Sequence, residues 1–400
     1  MHLIAAAASA IVSPPHSGFH VRGQTRGFEG WYHRLTLPEA SFAWIYSIYD
    51  PEDAASSRHG VGMQILGPGG NGPLYRTGPA SDRFWADEHS LALGHVFEGV
   101  AFRKPQNRAA FQRFVQSGFQ LSSEVHQGVT TDEDGQRVAW YYRVTPKFGW
   151  GGGADAKQYS TAGWLAALPI FEPHYQILLA HGVASGAVEW RGRTFEFRDA
   201  PCYAEKNWGQ ASFPSRWFWV QCNSFGGGAG DAGGAGATLT CAGGARANPL
   251  LPGREEDVAL VAVHTADGRF FPFPNIEWRV APWGRWELDG SFEDTRISVR
   301  ASCDDGDDGV RVLCPTAEGM QPTSRETFDG RLSVRLWRVG SGGAEETIWQ
   351  AETSQAALEV GGEPWEGDGW EGSCAVSPAA ARLLAADVPL ERVKEWIPGL

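Results

Sequence analysis

Six side chains that can take part in chemistry lie within ten residues of this 400-residue chain, 199–208, in the segment 195–209 (FEFRDAPCYAEKNWG). They are two acids, a phenol, an amine, an amide and an indole: Asp199, Glu205, Tyr203, Lys206, Asn207 and Trp208. A carboxyl group buried among aromatic rings stays neutral at a higher pH than in water, because burial disfavours its anion. The segment therefore predicts proton transfer by a buried acid. A surface turn that exposes Glu205 and Lys206 is the alternative interpretation.

Two other segments place an acid and a histidine at alternate positions. They are 164–176 (WLAALPIFEPHYQ), with Glu172, His174 and Gln176, and 28–34 (FEGWYHR), with Glu29, Trp31 and His33. Successive side chains of a strand point to opposite faces, so each trio would share one face. A histidine in an apolar strand is more often a core or rim residue than a catalyst, and that alternative stays open.

Composition and motif content exclude several kinds of protein. The chain has 34 Lys and Arg against 47 Asp and Glu, a formal net charge of −13, whereas nucleic-acid binding needs a basic surface. No H-x-H, H-E-x-x-H or C-x-x-C spacing indicates a metal site. No G-x-S-x-G elbow is present, and no G-x-G-x-x-G follows a strand and opens a helix. We therefore expect chemistry by acids and aromatic rings, without a metal or a cofactor.

The elements that must position these residues are predicted to be β-strands. Short aromatic and β-branched segments recur along the chain, separated by Gly, Pro and Asp clusters. Such spacing predicts a mostly β protein with two barrel or sandwich halves. One strand is predicted over 194–198, with a loop after it. Few helices are expected: one over 106–117 and one over 377–386, which begins at Ser377 and Pro378.

A coarse internal duplication is predicted from two pairs of strands. Residues 30–49 contain GWYHRL followed by FAWIYS, and residues 216–242 contain RWFWVQC followed by ATLTCAG. We expect a first β domain over 14–209 and a second over 210–400, which includes the C-terminal helix. Residues 1–13 are interpreted as an N-terminal segment left from a targeting signal, although no Lys or Arg precedes their apolar run. No run reaches the ~18 apolar residues of a membrane helix.

Long tryptophan-rich strings give the chain a resemblance to a known family. They are PPHSGFH (14–20), FEGWYHRLTLPE (28–39), SFAWIYSIYDP (41–51), WLAALPIFEPHYQ (164–176), FEFRDAPCYAEKNWG (195–209), RWFWVQCN (216–223) and EVGGEPW (359–365). In these strings the chain resembles tocopherol cyclase, from Pro14 to the C-terminus. That family is similar to the carotenoid hydratases, which are thought to have two lipocalin-like barrels. The resemblance therefore implies two lipocalin-like halves.

The resemblance also implies a reaction. Tocopherol cyclases close the chromanol ring of vitamin E from a prenylated (phytyl) benzoquinol. A proton adds to the double bond nearest the ring, and the phenolic oxygen attacks the tertiary carbon. Nothing is oxidised and no atoms are lost, so the reaction is an isomerisation and implies no cofactor.

The same resemblance implies roles for individual residues. The related hydratases carry a Tyr-x-acid pattern that Tyr203-x-Glu205 matches, although their acid is more often Asp. Glu205 is therefore the expected proton donor, with His174 as its partner and Tyr203 orienting the acid or stabilising the cation. The rival donors are Asp199, Glu172 and Glu29. Side chains expected to bind or line the substrate are Trp31, Glu29, Glu172, Lys206, Asn207 and Trp208.

The substrate implied by the resemblance sets the expected partners. A prenylquinol is very apolar and comes from a membrane or a lipid particle, which implies peripheral contact with one of them and no nucleic-acid partner. In a photosynthetic eukaryote this implies a chloroplast or another plastid, at a plastoglobule or a membrane, although no transit peptide is evident. The alternative functions are a non-catalytic lipid carrier, an isoprenoid alkene hydratase and, more remotely, a carbohydrate-binding module.

Overall fold

The computed structural model describes most of the chain between Pro14 and Ser377. The described residues are 14–21, 27–50, 59–69, 72–79, 82–151, 158–168, 172–210, 213–226, 236–248, 251, 253–304, 306–362, 365, 369–377, 379, 396 and 399. The N-terminal segment 1–13 and most of the helix predicted over 377–386 therefore lie outside the described residues.

Nearly all of the regular structure in the described residues is β-strand. The first sheet contains β1 (Phe28–Leu37), β2 (Ala40–Tyr49), β3 (Gly60–Leu66), β4 (Leu74–Gly78), β5 (Phe84–Ala86), β6 (Ala92–Gly99), β7 (Val115–Ser122), β8 (Val125–Thr131), β9 (Arg137–Phe148), β10 (His174–Trp190) and β11 (Arg193–Gly209). The second contains β12 (Arg216–Cys222), β13 (Thr238–Ala247), β14 (Glu255–His264), β15 (Phe270–Phe273), β16 (Asn275–Val280), β17 (Arg285–Phe292), β18 (Thr295–Ser302), β19 (Val310–Thr316), β20 (Gly319–Val339), β21 (Glu345–Gly361) and β22 (Trp370–Cys374).

The two sheets share most of their strand order, although β22 forms one edge of the second sheet and β19 lies off its main path. The first runs β4-β3-β2-β1-β11-β10-β9-β8-β7-β6-β5, and the second runs β15-β14-β13-β12-β21-β20-β18-β17-β16-β22, with β19 paired to β20. In each, a four-stranded meander is joined through its first strand to a long late strand, β11 or β21. The predicted mostly β fold with two halves is confirmed. The repeated strand order is also what an internal duplication would produce.

Each sheet curls around its own aromatic core. In the first sheet, alternate residues of β1 and β2 point inward, among them Trp31, Trp44 and Tyr46, which are almost completely buried. In the second, Phe218 and Trp286 are buried in the same way. A strand that alternates between two faces can bury one face inside its own sheet and offer the other to a neighbour.

The outer faces of the two sheets pack against each other in a third core. It joins Ile177 and Tyr203 of the first sheet to Trp219 and Ala262 of the second. β1 and residues 200–209 of β11 are largely buried on both faces, so polar residues in them, such as Arg34, Glu205 and Lys206, are buried as well.

Hydrogen bonds between buried polar groups also join the sheets. Arg34 donates from Nη1 to Gln221 Oε1 at 2.8 Å and from Nη2 to the Gln355 carbonyl at 2.7 Å. Gln64 donates to the Leu313 carbonyl at 2.8 Å and accepts from the Leu313 N–H at 2.8 Å. Buried polar groups satisfied in this way give the interface one preferred register.

Helices are few and short in the described residues. The helix predicted over 106–117 is present as α1 (Arg108–Phe114), with the Asn107 side chain accepting from the Ala110 N–H at its N-terminus. A 3₁₀ helix spans Gly163–Ala167. No described helix combines the length and the apolar character needed to cross a membrane.

One predicted boundary is wrong, and it matters for the site. The strand expected to end at residue 198 continues as β11 to Gly209. Asp199 adopts a positive φ of 53° within it, which allows a local irregularity instead of a turn. The segment 199–209 is therefore extended, and its side chains alternate between two faces.

Candidate active site

A cavity of about 370 Å³ opens between the two sheets. Tyr175, Glu205 and Asn207 line it from the first sheet, and Trp217, Trp219 and Glu359 line it from the second, among other residues. Most of the remaining lining is apolar, including Leu165, Val258 and Leu260. A cavity of this size with a few convergent polar groups is typical of a small-molecule site.

Glu205 is buried in the wall of this cavity, and one of its oxygens is tightly held. Oε2 accepts hydrogen bonds from the Tyr203 hydroxyl at 2.5 Å, from Trp219 Nε1 at 3.1 Å and from the Tyr175 hydroxyl. Oε1 accepts no hydrogen bond from the described residues. The carboxyl group is thus anchored through one oxygen, and the other is left for a proton or a ligand.

Burial and hydrogen bonding act in opposite directions on the pKa of Glu205. Burial, the larger effect, disfavours the carboxylate, while the donors on Oε2 favour it, and the pKa is raised to about 7. With this pKa, about half of the Glu205 carboxyl groups are protonated at pH 7 and most of them at slightly acidic pH. It can therefore act as a general acid.

His174 lines the same cavity from the start of β10. Its ring stacks on Trp208, with 4.9 Å between ring centroids and 16° between the planes. Burial and the charge of Arg246 lower its pKa to about 4, so the imidazole is neutral at physiological pH. A neutral imidazole can accept a hydrogen bond from a hydroxyl group.

Lys206 and Trp208 lie on the opposite face of β11 from Glu205. Lys206 is fully buried and forms an ion pair with Glu29, which also accepts from the backbone N–H of His20 at 2.8 Å. Burial raises the pKa of Glu29, but Lys206 and His20 outweigh it and the net pKa is lowered. Trp31 packs in the core of the first sheet, 5.5 Å from the Lys206 ammonium.

Four predicted substrate contacts are therefore corrected: Trp31, Glu29, Lys206 and Trp208 do not line the cavity. They belong to a buried cluster at the N-terminal segment 14–21, where Lys206 also donates to the Gly18 carbonyl at 2.6 Å. The physical reason is the alternation of β11, which sends neighbouring residues to opposite faces. Asn207, two residues after Glu205, does line the cavity.

Two of the rival proton donors lie outside the cavity. Asp199 is exposed, and its backbone N–H donates to Ser185 Oγ at 3.0 Å. Glu172 lies just before β10 and accepts from the Gln210 N–H at 2.6 Å. The Asp199 carboxyl group is exposed to solvent, and that of Glu172 is only half-buried, so neither is held in the apolar cavity beside a substrate. Neither position supports the donor or substrate-binding role expected from the sequence.

The sequence reasoning missed a second acidic side chain in the cavity and another behind it. Glu359 accepts from Trp217 Nε1 at 2.8 Å, and Glu326 accepts from the Tyr32 hydroxyl at 2.5 Å. Burial raises the pKa of Glu359 to about 7, and burial and the charge of Glu359 raise the pKa of Glu326 well above its usual value. Glu359 falls within the EVGGEPW string, but nothing local indicates that it approaches Glu205.

Three further cavity residues were not predicted, although the sequence pattern indicates that two of them share a face. They are Tyr175, Trp217 and Trp219. Trp217 and Trp219 alternate in RWFWVQC, so they must share a face of β12. Tyr175 is paired with Asn207 across β10 and β11, so both point to the cavity side. No group of three or more potential metal-binding side chains occurs within the described residues.

Comparisons with known proteins identify the family. The model for the family described as tocopherol cyclase-like matches residues 25–362. A probable chloroplastic tocopherol cyclase of Oryza sativa subsp. japonica is 38% identical over 94% of this chain and 84% of its own length. A chloroplastic tocopherol cyclase of Zea mays is 36% identical over 94% of this chain and 83% of its own length.

Solved structures show only a distant similarity. The crystal structure of CghA is 9% identical, with a TM-score of 0.45, and the match covers 90% of this chain and 95% of CghA. A structure of an AttH-like protein of Nitrosomonas europaea is 14% identical, with a TM-score of 0.42, and covers 89% and 97% of the two chains. The family model and the two plant sequences, each matching most of the chain, are sufficient: this chain belongs to the tocopherol cyclase family.

Proposed function

We propose that this protein closes the chromanol ring of a prenylated benzoquinol, with Glu205 as the proton donor. The observation that carries the proposal is the state of Glu205, a buried carboxyl group whose Oε2 accepts from three donors and whose Oε1 accepts from none of the residues that the structure describes. The proton of the neutral acid passes to the prenyl double bond nearest the ring. The phenolic oxygen then bonds to the tertiary carbon and loses its own proton, so no atom is gained or lost.

The donors on Oε2 favour the transition state over the ground state. An alkene is a weak base, and negative charge grows on Glu205 as its proton leaves. The hydroxyl groups of Tyr175 and Tyr203 and the indole N–H of Trp219 already point at the oxygen where that charge collects. Preorganised donors of this kind strengthen as charge develops, and they need no reorganisation during the reaction.

Aromatic faces around the cavity suit the positive charge on the substrate. Trp217 and Trp219 line the wall next to the two carboxyl groups, and an indole face attracts a desolvated cation by about 2 kcal/mol. The apolar lining suits the prenyl chain. Holding the chain against the ring oxygen lowers the activation barrier, because the two reacting groups are already close together.

His174 and Asn207 are proposed to bind the quinol ring. Both line the cavity that Glu205 also lines. Because the lowered pKa of His174 keeps it neutral at physiological pH, it suits acceptance of a hydrogen bond from a quinol hydroxyl better than proton relay as an imidazolium. The side-chain amide of Asn207 can donate to a quinol oxygen.

We further propose peripheral contact with a membrane or a lipid particle at the open side of the cavity. Leu165, Val258 and Leu260 line the cavity and are only half-buried, so they mark where an apolar substrate can enter. An apolar rim around an opening is a usual feature of surfaces that receive lipids. Both plant relatives are chloroplastic, and we propose a plastid location for this protein, at a membrane or a plastoglobule.

A buried acid inside the cavity argues against the carrier alternative. Burying a carboxyl group among apolar side chains costs free energy, and a protein that only holds a lipid gains nothing from it. Hydration of the alkene differs only in the attacking oxygen, so the products distinguish it: a tertiary alcohol instead of a chromanol.

The test is the conversion of a prenylated quinol to its chromanol by a Glu205→Gln variant. Loss of a general acid costs ~10²–10⁴ in rate, so we expect kcat to fall within that range while substrate binding persists. Asp199→Asn, which removes an exposed carboxyl group from the same strand, is the matched control and should behave as wild type. A folded Glu205→Gln variant within a few-fold of wild type would show that Glu205 is not the donor.

A further inference from the structure

The cavity holds a second carboxyl group on the wall opposite Glu205. Glu205 lies on β11 of the first sheet, and Glu359 lies on β21 of the second. Both line the cavity, and they are close enough for the charge of Glu359 to act on Glu205. Two carboxyl groups facing one ligand space suggest two separate proton-transfer roles.

A single strand holds the two carboxyl groups at different positions along the cavity. Trp217 Nε1 donates to Glu359 at 2.8 Å, and Trp219 Nε1 donates to Glu205 at 3.1 Å. These tryptophans are two residues apart on β12 and share a face, a spacing of about 7 Å along a strand. The two indoles therefore hold the two carboxyl groups at different positions along β12.

The reaction proposed above needs a proton delivered at one point and removed at another. The prenyl carbon gains a proton, while the hydroxyl oxygen that forms the new C–O bond must lose one. The protonated carbon is attached to the tertiary carbon at one end of the bond that closes the ring, and the hydroxyl oxygen is the other end of that bond. One acid in a fixed orientation reaches the first atom, and a second group is needed at the other.

We propose that Glu359 is this second catalytic carboxyl group, an inference that rests on the proposed function. Its carboxylate accepts the hydrogen bond of the attacking quinol hydroxyl and takes the proton as the oxygen bonds to the tertiary carbon. The O–H bond of the quinol breaks, the C–O bond forms, and Glu359 becomes neutral while Glu205 has become a carboxylate. Return of the proton from Glu359 to Glu205 restores both groups, so no other reactant is required.

Glu205, Glu326 and Glu359 form a cluster of buried acids, and their mutual repulsion favours one ionised carboxyl group at a time. The charge of Glu359 acts on Glu205 and Glu326, and the charge of Glu205 acts on Glu326, so ionisation of one group disfavours ionisation of its neighbours. The charge of Arg34 acts on Glu326 and compensates negative charge in the cluster. The other groups that face Glu359 are Trp217, Ser324 and Cys314.

The test combines cyclisation with an exchange reaction that does not need Glu359. We expect Glu359→Gln to lower kcat for cyclisation about 10²-fold. An analogue with the attacking hydroxyl methylated cannot close the ring, but in D₂O its alkene can gain a deuteron from Glu205 and lose a proton again. Deuterium incorporation should therefore stay within about threefold of wild type in Glu359→Gln and be lost in Glu205→Gln.

The pH profile gives a second readout that a structural role would not produce. Glu359 acts as a carboxylate, so kcat/KM should rise with pH through its titration, and Glu205 acts as an acid, so kcat/KM should fall through its own. Glu359→Gln should lose the rising limb and keep the falling one. Glu371→Gln, which removes an exposed carboxyl group from β22, is the control and should keep both limbs.

The outcomes separate this inference from the proposed function. If Glu359→Gln cyclises normally while Glu205→Gln is inactive, Glu359 is not the base and the donor assignment stands. If deuterium exchange is lost in Glu359→Gln as well, Glu359 supports alkene protonation and not the hydroxyl, which also overturns the inference. If Glu205→Gln is fully active, the proposed function itself fails.

Discussion

Burial and hydrogen bonding have opposite effects on the pKa of the Glu205 carboxyl group, and together they make it an effective proton donor. Burial raises its pKa to about 7, so that it holds a proton near neutral pH. The donors on Oε2 stabilise the anion that forms when the proton leaves. Burial alone would raise the pKa so far that the acid would release its proton poorly. Hydrogen bonds alone would lower the pKa and leave a carboxylate with no proton to donate. The balance depends on individual neighbours, which makes it testable residue by residue.

The pH dependence of the wild-type enzyme follows from this pKa. Because Glu205 acts in its neutral form, we expect kcat/KM to fall above pH 7 and to approach a tenfold decrease per pH unit. Steady-state assays between pH 6 and 9 with a prenylated quinol in detergent measure this limb. A rate that rises steadily to pH 9 would contradict a neutral carboxyl group as donor.

Removal of one hydrogen-bond donor to Glu205 should shift the pH range over which kcat/KM falls. The Tyr203 hydroxyl donates to Glu205 and lowers its pKa. In Tyr203→Phe the pKa of Glu205 should therefore rise, which moves the falling limb to higher pH, while the maximum kcat falls about tenfold because the anion loses a donor. Tyr159→Phe, which alters an exposed tyrosine, should leave the limb in place. An unchanged limb in Tyr203→Phe would mean that this hydrogen bond does not tune the acid.

At the scale of the element, β11 separates catalysis from support by its two faces. Tyr203, Glu205 and Asn207 face the second sheet, while Lys206 and Trp208 face the N-terminal segment. His20 stacks on Trp208 with 4.0 Å between centroids, so that segment packs directly behind the catalytic strand. The ion pair of Lys206 and Glu29 is thus a candidate for holding β11 in position.

The buried ion pair gives a stability prediction. Lys206→Met leaves the Glu29 carboxylate buried without its counter-charge, and we expect the free energy of unfolding to fall by about 3–5 kcal/mol. The double variant Glu29→Gln/Lys206→Met removes both charges and should lose less than the sum of the two single variants. Urea unfolding of the four proteins measures this coupling. Additive effects would show that the two side chains do not stabilise the fold as a pair.

At the scale of the whole molecule, the site exists only because two sheets meet. Glu205 and Tyr175 come from the first half, and Trp219 and Glu359 from the second. Each half buries its own aromatic core, and the outer faces supply the cavity. The two sheets have similar strand orders, yet the space between them is asymmetric because facing strands from the two halves carry different residues.

The cluster of buried acids makes the stability of the whole molecule depend on pH. The folded pKa of Glu326 is raised well above the usual 4.5, so its contribution to stability is present at low pH and is lost as pH rises through the folded pKa. Between pH 8 and 9 the buried histidines with lowered pKa, such as His33 and His264, are neutral in the folded chain and almost entirely neutral in the unfolded chain, so they add little to this change. We expect the melting temperature of the wild type to decrease across this interval and that of Glu326→Gln to decrease less. Equal decreases in both proteins, with Glu371→Gln as the exposed control, would contradict an acid kept neutral by burial.

Much of the fold could be predicted because its signals are local. Aromatic and β-branched residues at alternate positions indicate strands wherever they occur, and the two Trp-rich pairs indicated two halves. The predicted strand end at residue 198 was wrong because Asp199 reads locally as a turn, whereas pairing of β11 with β1 and β10 continues the strand to Gly209.

The sequence by itself determined the family, the β class and the segment that carries the proposed acid, since all of these are written in short contiguous strings. Only the tertiary structure decided which face each residue of that segment takes. Glu205 and Lys206 are neighbours in the chain, yet one lines the cavity and the other is buried in an ion pair on the opposite side. The structure alone also brought Glu359 to the wall facing Glu205, because contacts between distant strands depend on how the two sheets pack and not on any pattern within either strand.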